Sequence, residues 1–68
     1  MENITETQKA LIKILADIGI SSQKISEIMQ FLQEEELAQT MLKRIIKMYD
    51  NKKLLNQETI MKELANLF

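Results

Sequence analysis

Apolar residues recur along this chain with a helical period, in four separate runs. In the first, Leu11, Ile14, Leu15 and Ile18 stand at i, i+3, i+4 and i+7, which is one face of a helix. Thr5-Glu6-Thr7-Gln8 ahead of them fits a capping box. The pattern therefore predicts a helix over about 5–18. Gly19 falls just past its last apolar position, where a left-handed residue ends a helix at no steric cost. Ile20 is then placed to fold back on that helix. The second run, Ile25, Ile28, Met29 and Leu32, predicts a helix over about 22–32 capped by Ser21 or Ser22. A fourth, Ile60, Met61, Leu64 and Leu67, predicts one over about 57–66, with Asn56 as its cap and Leu55 against Ile60 as a hydrophobic staple.

The third run, Leu37 to Tyr49, predicts a helix over about 35–50 and has the widest apolar face. Its apolar residues sweep about half the cylinder, where a helix resting on one neighbour needs an arc of roughly 100°. This helix is expected to be the central one, flanked on two sides. QFLQEEELAQ, which joins it to the second helix, holds no glycine, proline or asparagine. A single rod from Ser22 to Asp50 is the competing pattern. A break near Gln33–Glu34 is expected, because such a rod leaves little chain to fold back on it. Glu34, Glu35 and Glu36 at its start, with Lys43, Arg44 and Lys47 in its second half, complement the helix dipole. Asp50-Asn51 is expected to end it, with Asn51 as the left-handed residue. The expected fold is all-α: a small four-helix bundle, one domain over residues 1–68, third helix central.

Composition narrows what such a bundle can do. Sixty-eight residues bury little surface, so packing or self-association must supply the stability. Neither cysteine nor histidine is present. That removes disulfides, thiolate metal sites, the commonest general base and the commonest transition-metal ligand. No nucleophile–base pair and no glycine-rich phosphate loop stand in the chain, so no enzyme, cofactor or small-molecule substrate is expected. Net charge is −1, which gives no overall pull toward nucleic acid or anionic membrane. MENITETQ is too polar for a signal peptide, and no apolar run is long enough to span a bilayer. A cytoplasmic protein is the expectation. Met29, Met41, Met48 and Met61 fall on apolar faces and read as adaptable core filler, although methionine-rich grooves also bind partner helices.

Two features point to function. Ile12, Phe31 and Ile46 all lie off the centre of their own apolar faces. Brought together, they would form an exposed patch of the kind that marks an interface. The second feature is GISSQKISEI, residues 19–28. With Ile14 and Ile18 before it, the set Gly19, Ile20, Ser21, Ile25 and Ile28 resembles the turn and second helix of a helix-turn-helix DNA-binding motif, over residues 11–30. The resemblance implies a recognition helix presenting Ser22, Gln23, Lys24, Ser26 and Glu27 to base edges in the major groove. Lys43, Arg44 and Lys47 would then contact phosphates. A plain helical hairpin with a glycine ending and a serine cap has the same residues. As a whole, the chain is similar to short helical proteins of AT-rich bacteria and their mobile elements. The function expected is that of a small non-enzymatic adaptor or regulator acting by protein–protein contact, homodimerisation included, through Ile12, Phe31 and Ile46. The alternative is a DNA-binding regulator using the second helix.

Overall fold

The structure, a computed structural model, describes residues 4–68. Four helices follow one another: α1 (Glu6–Ile18), α2 (Ser22–Phe31), α3 (Glu35–Asp50) and α4 (Gln57–Asn66). Each boundary has a local cause. Thr5 Oγ1 accepts from the Gln8 amide at 3.1 Å while Gln8 Oε1 accepts from the Thr5 amide at 3.1 Å, which completes the capping box. Gly19 stands at φ 106°. Its amide donates to the Ala16 carbonyl at 3.0 Å and that of Ile20 to the Leu15 carbonyl at 3.1 Å, the paired bonds of a Schellman ending. Ile20 folds back into the core, 6% exposed. Ser21, rather than Ser22, caps α2. Asn56 caps α4, and Thr59 returns the bond to the Asn56 amide. The chain breaks at Gln33 and Glu34, so α2 and α3 are separate helices.

The end of α3 differs from expectation in one residue. Asn51 is not left-handed; it sits at φ −86°, and Lys52 takes φ 59° instead. The Lys52 amide donates to the Tyr49 carbonyl and the Lys53 amide to the Met48 carbonyl, a second Schellman ending. Asn51 is thus the half-helical residue between the last helical position and the left-handed one. The side chain in the strained position is a lysine, which no local sequence rule picks out.

The helices pack in the spatial order α2, α1, α3, α4. α1 lies between α2 and α3, and α3 lies between α1 and α4. The core runs through all four: Leu11 and Leu15 from α1, Ile25 and Ile28 from α2, Ala38, Met41 and Ile45 from α3, Ile60 and Leu64 from α4. Leu32, in the α2–α3 turn, is fully buried with them. The wide apolar face of α3 follows from having two neighbours. Arg44 turns toward α4, where its guanidinium meets Glu63 at 3.2 Å. No helix among the described residues is long and apolar enough to cross a membrane.

Two side chains hold the lower end of the bundle, where α1 and α3 begin and α2 ends. Gln8 Nε2 donates to the Leu32 and Gln33 carbonyls, both at 3.1 Å. These are carbonyls of the α2–α3 turn, and a glutamine from α1 satisfies them. Glu35, in the first turn of α3, accepts from Thr7 Oγ1 at 2.7 Å and from Gln39 Nε2 at 3.0 Å. Thr7 and the other hydroxyl of that first turn, Thr5, hold the Glu35 carboxyl below its ordinary range, against the opposing effect of partial desolvation.

Candidate interaction surface

The anchor made by Gln8 sets α1 and α2 antiparallel and leaves a groove between them of about 850 Å³. From α1 and the residue before its cap come Ile4, Gln8, Ile12 and Ala16, a single i, i+4 stripe. From α2 come Ser22, Ile25, Ser26, Met29 and Gln30, with Gln33 beyond its end. The floor is apolar: Ile12, Ile25 and Met29. The rim is glutamine and serine. Among the described residues, no charged side chain lines it, although over a quarter of the chain is charged. Bringing a partner into such a groove leaves no charge without water, so the desolvation penalty that burdens most surface contacts is small here.

The three residues expected to form one patch fall in different places. Ile12 lies on the groove floor. Phe31 projects from the other side of α2, 57% exposed, and its ring tilts against that of Phe68 with centroids 6.1 Å apart. Ile46 is 48% exposed on the outer edge of α3, in register with Tyr49, which is 72% exposed. Sequence periodicity ranks these residues as off-centre, but it holds no information on which sides of their helices face one another. For the same reason Gln8 and Ala16 carry no functional reading in the sequence, and the groove residues Ser22 and Ser26 enter there only as part of the DNA-binding alternative. Their only sequence signal is the i, i+4 recurrence of small or uncharged residues on the flank of each core face. Leu54 and Phe68, both exposed, carry no periodic signal at all.

The residues of the DNA-binding alternative are also placed. Ser22, Gln23, Ser26 and Glu27 are exposed on α2, and Lys24 is half-buried. Lys24 Nζ lies 3.0 Å from Glu27 Oε1. Lys43 and Lys47 are exposed on α3, whereas Arg44 is held by Glu63. Arg44, Lys47, Asn51 and Lys53 with Glu63 border a smaller hollow of about 430 Å³ at the far end of α3. Of the four cations in that set, Lys24 and Arg44 therefore face carboxylates, which leaves Lys43 and Lys47 for phosphate contact.

No protein-family model, curated protein or solved structure matches the chain.

Proposed function

We propose that this is a small non-enzymatic adaptor or regulatory protein that works by protein–protein contact, and that the α1–α2 groove is its contact surface. The observation that carries this is the uncharged lining of the groove around an apolar floor of Ile12, Ile25 and Met29. A face of that kind has much to gain from being covered and little polar solvation to lose. Two antiparallel helices with a groove between them are also the usual receptor for a third, amphipathic helix. Of the three interface residues expected from sequence, Ile12 is the one this surface uses.

The test is affinity capture from the cells that make the protein, with the intact chain and with Ile12→Lys as bait. Ile12 is only partly buried and is not among the fully buried core side chains, so the variant keeps its fold, checked by circular dichroism. Capture of a defined protein, or of the chain itself, by the wild type and its loss with Ile12→Lys is the expected result. Equal capture by both baits would remove the groove from the account.

A second reading has one observation of its own. It is favoured by Gly19 in the left-handed region, Ile20 buried behind it and Ser21 capping α2, the positions on which the resemblance to a helix-turn-helix rests. On that reading Ser22, Gln23, Lys24, Ser26 and Glu27 face DNA. Duplex binding that weakens steeply with salt and is lost in Lys43→Glu/Lys47→Glu would support it. Absence of a gel shift at low salt would end it.

A further inference from the structure

Five of the nine cations stand between residues 43 and 53, with Asp50 as the one carboxylate among them. Three of the five, Arg44, Lys47 and Lys53, come together around the hollow of about 430 Å³ at the far end of α3, with Asn51 beside them and Met48 as an apolar wall. Glu63 of α4 is the one carboxylate that lines it among the described residues. The hollow therefore has two positive charges in excess, in a chain whose net charge is −1. Arg44 and Lys47 stand at i and i+3, on one face of α3. Glu63 takes one guanidinium N–H of Arg44 at 3.2 Å, which leaves the other donors of that group free of it. Lys53 arrives from beyond the helix end, because the left-handed turn at Lys52 brings its amide back onto the Met48 carbonyl. The same turn removes an obstacle. Open carbonyls at a helix C-terminus repel an anion, but those of Lys47, Met48 and Tyr49 are taken by the amides of Asn51, Lys53 and Lys52. Lys47 and Lys53 have no carboxylate within 4 Å among the described residues.

We propose that this hollow binds a small phosphate monoester, with the dianionic head held by Arg44, Lys47 and Lys53. A phosphate monoester carries a charge of about −1.5 to −2 at pH 7 and three strong acceptor oxygens, which matches the excess charge and the donors that converge here. A guanidinium and two ammonium groups are the side chains that make short, charge-assisted bonds to phosphate. Glu63 is the positioning residue: it holds the guanidinium against the wall of the hollow and does not itself face the anion. The volume exceeds what one phosphate fills and lies in the range of small-molecule sites, so the group that carries the phosphate also fits, against Met48. Cations that converge on one concave volume, with a carboxylate inside it, suit a single anionic head better than the row of phosphates along a duplex. The hollow is separate from the α1–α2 groove and does not depend on what that groove contacts.

Titration of the intact, isotope-labelled protein with inorganic phosphate and with glycerol 3-phosphate, followed by amide NMR at low salt, tests this. Saturable shifts centred on Arg44, Lys47, Asn51, Lys53 and Glu63 are the expected result, with the ester binding at least as tightly as the free ion. Lys47→Gln/Lys53→Gln removes two exposed cations from the hollow and is expected to weaken binding roughly tenfold. Lys13→Gln/Lys62→Gln makes the same change of net charge on exposed residues that do not line the hollow, and leaves the affinity nearly unchanged. Glu63→Gln keeps an oxygen for Arg44 but withdraws the negative charge, and is expected to tighten binding several-fold. Absence of shifts at millimolar ligand overturns the site. Equal weakening in the two double variants, or weaker binding by Glu63→Gln, overturns the hollow as its place. A short DNA duplex that displaces the ester at lower concentration overturns the small ligand in favour of a nucleic-acid backbone. Ile12→Lys does not touch the hollow, so the protein-contact reading of the groove stands or falls separately.

Discussion

Gln8 uses every polar group it has. Its backbone amide and side-chain carbonyl close the capping box with Thr5, and its side-chain amide holds the Leu32 and Gln33 carbonyls. Gln8→Ala therefore removes half of a cap and frees two turn carbonyls at once. The expected loss is about 2 kcal/mol, from one cap and one or two net hydrogen bonds, read as a lower urea midpoint with unchanged slope. Glu35 does comparable work with a charge. Its carboxyl is held below the ordinary value of 4.5 by the hydroxyls of Thr7 and Thr5. Since the folded value is the lower one, its contribution is complete above the unfolded value and is lost as pH falls through the folded one. The stability gap between wild type and Glu35→Gln is therefore largest near neutral pH and shrinks as pH drops below 4.5. Urea titrations at neutral and acid pH check this; a constant gap would mean that the bond to Thr7 carries no charge dependence.

At the scale of the helix, both left-handed endings can be tested against each other. A Cβ at Gly19 would meet nothing within 4 Å, so Gly19→Ala is penalised only by its φ of 106°. The expected cost is about 1–2 kcal/mol. Lys52 already bears such a cost at φ 59°, and Lys52→Gly relieves it, for a gain of up to about 1 kcal/mol. Thermal melts of the pair should move in opposite directions, each by several degrees. The two endings also mark what sequence carries. Gly19 announces itself, because only glycine is free there. Lys52 does not, because the helix ends two residues past Met48, its last buried position, and the left-handed position then falls on whatever follows the half-helical Asn51. The same division holds along the chain. Thr5, Ser21 and Asn56 act on neighbours three residues away, so caps, helix limits and the core face were legible. The Gln33–Glu34 break was inferred from chain length, and the contacts that secure it come from Gln8 and Thr7 on another helix. Periodicity ranked Ile12, Phe31 and Ile46 alike, and only tertiary packing separates the groove residue from the other two.

In the whole molecule, α1 and α3 each lie between two helices, and that order leaves one flank of the α1–α2 hairpin uncovered. Where α3 closes one side of the pair, the opposite side remains a groove with an apolar floor and, among the described residues, no charge in its lining. A chain of 68 residues has little core to lose, and covering the groove would bury Ile12 and Met29 further. The Phe31–Phe68 pair and the Ile46–Tyr49 edge lie outside that groove. That the α1–α2 groove is a protein contact surface is tested most directly by affinity capture with the intact chain and with Ile12→Lys as baits. The intact chain should retain a defined protein, or a second copy of itself, and Ile12→Lys should lose it. Equal capture by both baits would contradict it.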